Sequence, residues 1–178
     1  DLYLDTLDRV AFPTKGWRLS ASWELSEGDA AGDAGGHNSY EVSFMMPVSF
    51  GRWTATGTFE AGRSTRHGEY QLGGAGHLSG SPDGRWSGSD KQFGSIGLAR
   101  NMSDQLDIGM PVWFGGSLEA GRAWNRSESS EYDSSYDDWK KAISLYVGLD
   151  TYVGPVYLLW GKTFGEDSGL YFRWGYMH

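Results

Sequence analysis

Hydrophobic and polar positions alternate with a period of two along most of the chain, and no window carries helical periodicity long enough to argue for a helix. From Trp17 to Ser26, the residues Trp17, Leu19, Ala21, Trp23 and Leu25 share one face, while Arg18, Ser20, Ser22, Glu24 and Ser26 share the other. Tyr40 to Ser49 is the next such segment. A tight Phe50-Gly51-Arg52 connection then leads into Trp53 to Ser64, where Trp53, Ala55, Gly57 and Phe59 oppose Thr54, Thr56, Thr58 and Glu60. Further strands are predicted over Phe93 to Asn101, Met110 to Trp124, Ala142 to Asp150, Val156 to Phe164 and Gly169 to Met177. Ala142 to Asp150 alternates most cleanly, with Ile143, Leu145, Val147 and Leu149 against Ser144, Tyr146, Gly148 and Asp150.

These segments predict an all-β, antiparallel domain. A length of 178 residues at about 20 residues per strand and connection accommodates about eight strands, enough to close a small barrel. Apart from the last, the connections alternate long and short: 27–38, 65–92 and 125–138 are long and polar, and those between them are short. That alternation is expected of a barrel with one rim in the periplasm and the other, carrying the long loops, outside. Residues 1–16 read as a periplasmic turn and lead-in, and 17–178 as one barrel domain. Trp17, Trp53, Trp113, Trp160 and Trp174 lie near strand ends and are expected at the lipid headgroups, the competing reading being ordinary core aromatics.

Composition sharpens this picture. Aromatic residues make up 15% of the chain and there are 27 glycines, yet hydrophobic content is only 39% and mean hydropathy is −0.49. Strands with one lipid face and one wet lumen face average out in this way. No window approaches the ~20 apolar residues of a membrane helix. The net charge of −8 argues against nucleic acid as a partner, and the absence of cysteine removes thiol chemistry and disulfides. The start at Asp1, with neither leader nor initiator Met, is expected of a mature product or an excised piece.

Candidate chemistry is sparse. No G-x-S-x-G elbow occurs, and Asp83-Gly84 sits in a polar loop where it reads as a turn. His37, His67, His77 and His178 show no metal-ligand spacing and are expected to be solvated; no cofactor is expected. Ser79 with His77 is the only local pair that an enzymatic reading has to offer. The loop acids Asp29, Asp33, Glu128, Glu131, Asp133, Asp137 and Asp138 read as a solvated rim, with divalent cations beside lipopolysaccharide as the alternative. Glu119 faces inward by alternation and requires a partner. Arg18, Arg52, Arg100, Arg122 and Arg173 are the candidates for a salt-bridge network around it, with a role in loop locking or passage as the alternative.

Four motifs in order resemble the C-terminal half of the barrel in the outer-membrane protein assembly and translocation superfamily. Leu7-Asp8-Arg9-Val10-Ala11-Phe12-Pro13-Thr14-Lys15-Gly16 resembles its "LDxxxFPTxG" lead-in, in which Phe12, Pro13 and Gly16 stand out. Ser117-Leu118-Glu119-Ala120-Gly121-Arg122-Ala123-Trp124 is similar to its "FxDxGxxW" strand, with Glu119 for the aspartate and Gly121 and Trp124 in place. Asp150-Thr151-Tyr152-Val153-Gly154-Pro155-Val156-Tyr157-Leu158, containing Gly154 and Pro155, and Tyr171-Phe172-Arg173-Trp174-Gly175-Tyr176 look like its last hairpin. Leu72-Gly73-Gly74-Ala75-Gly76-His77-Leu78-Ser79-Gly80 resembles the "LGGxxxLSG" loop of patatin-like phospholipase autotransporters, with Leu78, Ser79 and Gly80 at its tip. Most other members carry an "RGF"-type tip whose arginine pairs with the strand acid; Ser79 occupies that place here.

The resemblance implies the last eight strands of a sixteen-stranded transmembrane barrel in the bacterial outer membrane. It further implies a membrane anchor and translocation pore for a patatin-like lipase passenger that lies outside this chain, so that no catalytic residue is expected within it. The implied partners are outer-membrane lipids and lipopolysaccharide, the barrel assembly machinery, and whatever seals the two edges: the chain itself, a second copy or the missing half. Many outer-membrane proteins end on an aromatic that the assembly machinery reads, whereas this chain ends Tyr176-Met177-His178. The alternatives from other classes are a small outer-membrane barrel enzyme acting on lipid and a soluble β-sandwich binding module.

Overall fold

A computed structural model describes residues 1–26, 36–106, 109–125, 138–166 and 168–175. The chain is all-β. The described residues form eleven strands: β1 (Leu2–Asp5), β2 (Arg18–Ser26), β3 (His37–Phe50), β4 (Trp53–Ser64), β5 (Tyr70–Leu72), β6 (Trp86–Gly88), β7 (Asp90–Asn101), β8 (Val112–Trp124), β9 (Lys140–Thr151), β10 (Gly154–Thr163) and β11 (Ser168–Trp174). Nine of them form one sheet in the order β1-β2-β3-β4-β7-β8-β9-β10-β11, every neighbour antiparallel. β5 and β6 form a separate two-stranded sheet.

All eight strands predicted by alternation are present. The count differs because Leu2–Asp5, expected within the lead-in, pairs with Arg18–Ala21 and adds a ninth strand. Four residues cannot show a period. The connection expected to span 65–92 likewise contains β5 and β6, at three residues each, and ends where β7 begins at Asp90.

The sheet is not a closed barrel. β1 and β11 lie at opposite ends of the strand order and, among the described residues, do not pair with each other. A fragment closed on itself or by a second copy was the expectation; among the described residues the ladder leaves one edge of β1 and one of β11 open, since no pairing joins the first strand to the last. The sheet nevertheless bends strongly. Six strand spacings would separate β2 from β10 by about 29 Å in a flat sheet, yet Arg18 and Tyr157 line the same cavity of about 240 Å³.

One face of the bent sheet is polar. Cross-strand hydroxyl pairs run along it: Ser20 with Ser43 at 2.7 Å, Thr58 with Ser95 at 2.6 Å and Ser117 with Ser144 at 2.7 Å. The other face presents Trp23, Phe44, Val48, Phe59, Ile96, Leu118, Leu145, Leu158, Leu170 and Phe172, all exposed. The Ser144, Tyr146 and Gly148 side of β9 therefore turns inward and Leu145 outward, as the alternation predicts. Trp17, Trp53, Trp160 and Trp174 are on the exposed surface as well, but Trp113 is not: it is buried and stacks on Phe12 at 5.5 Å. The offset is one residue. Trp113 shares its side of β8 with Glu119, and Phe114 takes the outward position.

The inner face is covered by two connections rather than by a second sheet. From the long-loop end, residues 65–89 fold onto β4, β7 and β8, and Leu72, Leu78 and Trp86 make the principal apolar cluster with Phe93, Ala123 and Ala142 of the sheet. From the short-turn end, residues 6–17 bring Phe12 against Trp113 and Tyr157. Leu7, Val10, Phe12 and Pro13 of one segment and Ala75, Gly76 and His77 of the other border the 240 Å³ cavity between them.

Candidate functional site

Among the described residues outside the strands, the in-folded tip Leu78-Ser79-Gly80 is the most completely buried, with Leu78 and Ser79 both at 0% exposure. The sheet accommodates it with a glycine. A Cβ on Gly161 of β10 would lie 2.4 Å from the Ser79 Cβ and 2.6 Å from its carbonyl carbon, so the strand must be bare where the loop crosses it. Leu78 adopts a left-handed φ of 67°, a conformation uncommon for a leucine and sustained here by the contacts around it.

Those contacts come from three strands. On β8, Glu119 Oε2 accepts the Ser79 amide N–H at 2.7 Å and Oε1 accepts the Ser79 hydroxyl at 2.9 Å. Ser117 donates its own hydroxyl to Oε1 at 2.6 Å. On β10, the Thr163 hydroxyl lies 3.0 Å from the Leu78 carbonyl and 3.1 Å from that of Ser79. On β11, Tyr171 accepts from the Gly80 N–H at 3.0 Å and donates to the Ser81 carbonyl at 2.7 Å. A carboxylate at 4% exposure is thus satisfied by three donors and no cation.

The expected salt-bridge network around Glu119 does not form among the described residues. Arg18 pairs with Asp5, Arg52 with Asp104 and Arg173 with Asp83; Arg122 binds Gln92, and Arg100 lies over the Trp53 ring. Arg122 and Arg100 project from the opposite, outward face of the sheet, and Arg18, Arg52 and Arg173 are taken by other acids. A serine at the tip lets the backbone itself reach the acid, where a long side chain would have held the loop away.

A second polar cluster anchors the base of the same loop. His77 Nε2 lies 2.7 Å from Glu60 Oε1 on β4, and its ring packs against Phe93 at 4.8 Å. Lys91 of β7 bridges Glu60, at 3.2 Å, and Glu41 of β3. His77 was expected to be solvated; it is half-buried and engaged. His37 lies 3.7 Å from Glu24, His67 is exposed, and His178 falls outside the described residues. Ser79 and His77, the one pair suggested for catalysis, are each turned to a carboxylate on a different strand, and no hydrogen bond joins them.

At the other end of the inner face, the Phe12-Pro13 turn is held by Asp8. Its carboxylate accepts the Thr14 and Lys15 amides at 2.7 and 3.0 Å and the Thr14 hydroxyl at 2.6 Å. Partial burial alone would raise the Asp8 pKa; these hydrogen bonds outweigh it and hold the carboxyl below its ordinary value. Gly16, at φ 94°, passes so close to Thr6 that a Cβ there would lie 2.2 Å from its carbonyl oxygen. Phe12 in turn sits where Gly148 of β9 leaves room.

The remaining predicted positions fall as follows. Gly121 faces inward against Phe93 and Leu72; Trp124 is outward and stacks under the Arg122 guanidinium; Gly154, at φ 108°, closes the Tyr152-Val153 turn; and Pro155 is buried beside it. Asp83-Gly84 forms the turn expected of it, with the Arg85 amide donating to the Pro82 carbonyl. Among the loop acids only Asp138 lies within the described residues, and it is exposed. Thr163, Gly161, Tyr171 and Lys91 were missed. No signal in the sequence sets them apart, because each acquires its role from a loop some 80 to 90 positions away, as with Thr163 and Tyr171, or from a neighbouring strand.

No family model matches the chain, and no curated protein matches it.

Proposed function

We propose that the chain is the membrane-spanning part of a bacterial outer-membrane β-barrel, plugged by two of its own connections. It acts as the anchor of, and translocation pore for, a patatin-like lipase domain lying outside this chain. One observation carries the membrane reading: nine antiparallel strands present a continuous exposed apolar face on one side and a hydroxyl-rich face on the other. An apolar surface of that extent in water is an aggregation site, whereas in lipid it is the required outer face of a barrel. The passenger and the pore rest on the motif resemblance. The buried 65–89 segment adds a mechanical condition, since anything passing through the interior must first displace it from Glu119.

In this reading the edges of β1 and β11 are sealed in the bilayer by the missing barrel half or by a second copy, because unpaired backbone groups have no water there. Outer-membrane lipids and lipopolysaccharide surround the apolar face, and the barrel assembly machinery delivers the chain. Refolding into phosphatidylcholine vesicles with brominated acyl chains tests the membrane step. Tryptophan fluorescence should be quenched, and unheated samples should migrate differently from heated ones on gels. A chain that stays monodisperse in buffer without detergent, with no quenching, overturns the reading.

A further inference from the structure

The outward face carries three cations set diagonally across neighbouring strands at its long-loop end, Arg122, Lys141 and Lys162. Arg122 of β8 is held between two indoles: its guanidinium carbon is 4.3 Å from the Trp124 ring centroid and 5.2 Å from that of Trp139. Its Nε and Nη2 also donate to Gln92 Oε1 on β7, at 3.1 and 2.9 Å. On the next strand, Lys141 lies opposite Ala120 and shares its face with Ile143 and Leu145. On the strand after that, Lys162 lies opposite Ile143. Both lysines are exposed, and neither enters a salt bridge among the described residues. Arg63 of β4 extends the row but is already bound to Asp90 at 3.3 Å.

β8, β9 and β10 are consecutive in the sheet, and their register sets Arg122, Lys141 and Lys162 on a diagonal, two strand spacings across and about four residues along, roughly 16 Å from first to last. Immediately toward the short-turn end, the same face becomes apolar at Leu118, Leu145, Leu158 and Trp160. The protein as a whole carries a net charge of −8, against which the exposed Lys141 and Lys162, in no salt bridge among the described residues, are two local positive charges. Arg122 is also pre-ordered: two rings and an amide already fix a side chain whose rotamer freedom would otherwise oppose binding.

We propose, building on the membrane-spanning reading above, that Arg122, Lys141 and Lys162 form a recognition site for the phosphate groups of an outer-leaflet glycolipid. The acyl chains of that lipid lie along Ile143, Leu145 and Leu158. Headgroup phosphates sit at the depth where the apolar strand face ends, and cations placed there attract them at close range. The long-loop end is the one assigned to the outside, which selects the outer leaflet. The chemistry recognised is a phosphate monoester on a lipid, to be told apart from free phosphate by the test.

The whole chain is folded in detergent and titrated with lipid A, with its dephosphorylated form and with inorganic phosphate, and retained lipid is counted by native mass spectrometry. The double variant K141Q/K162Q should keep the heat-dependent gel shift of the wild type. It should retain lipid A about thirtyfold more weakly, two surface cations at roughly 1 kcal/mol each. Dephosphorylated lipid should be held weakly by both proteins. Equal retention of lipid A by wild type and variant overturns the site, as does equal retention of the dephosphorylated lipid by the wild type. Inorganic phosphate that displaces lipid A at comparable concentration reassigns the site to a free anion and overturns the glycolipid. A wild-type chain that neither shifts on gels nor inserts into vesicles overturns the membrane reading itself, a failure visible before any lipid is counted.

Discussion

Ser79 gives both its amide and its hydroxyl hydrogen to the Glu119 carboxylate, at 2.7 and 2.9 Å, across 40 positions of sequence. Both residues are almost completely withdrawn from solvent. The pair joins the tip of an in-folded loop to the inner wall of β8 with no cation involved. Glu119→Gln keeps the shape but exchanges charge-assisted bonds for neutral ones. Stability should fall by about 1–2 kcal/mol, read as a lower melting temperature in detergent together with faster proteolysis within residues 65–89. A variant that matches the wild type in both measurements would show that the contact holds nothing.

Gly161→Ala should act on the same lock from the other side. The new methyl group would meet the backbone of Ser79 and Gly80, which cannot yield by a rotamer change. Overpacking of this kind costs about 1–3 kcal/mol. If the loop leaves as a unit, the effects of Gly161→Ala and Glu119→Gln will not add, because the second substitution finds its contact already broken. Strict additivity in a double-mutant cycle would refute a single docked tip.

The Phe12-Pro13 turn should show an acid limb. The folded Asp8 carboxyl titrates below its ordinary value, so the folded state binds its proton less readily than the unfolded chain does. The stability this contributes is fully present above the unfolded carboxylate range, about pH 4. It is lost as pH falls through the lower, folded value. Asp8→Asn should remove that limb while leaving the neutral-pH melting curve only slightly lower. A wild-type profile and a variant profile that run parallel at acid pH would contradict it.

Leu145→Arg separates lipid from water on the outer face. At an exposed position of a soluble domain the change should alter stability by no more than about 0.5 kcal/mol. Near the middle of a bilayer it should cost about 2–4 kcal/mol. Leu145 pairs with Trp160 and Gly116 near the centre of its strand, so the larger value is expected for vesicle-refolded protein. Urea titration in vesicles decides between the two.

Alternation alone placed eight strands of this chain and assigned their faces, because a period of two is imposed by the pleat and survives in any antiparallel sheet. It also placed Glu119 on the inner face, and the resemblance singled out Ser79 and Phe12. What joins them was settled only by the fold. The expected partner of Glu119 was an arginine, and the partner is a serine amide, because Gly161 lets the loop backbone come close enough to donate directly. Trp113 went to the core and Phe114 to the surface through one residue of register, which strand-end statistics cannot resolve. Whether the sheet closes lay equally beyond the sequence: each strand specifies its faces locally, but closure depends on whether β1 and β11 find partners, and that is a property of curvature and register summed over nine strands.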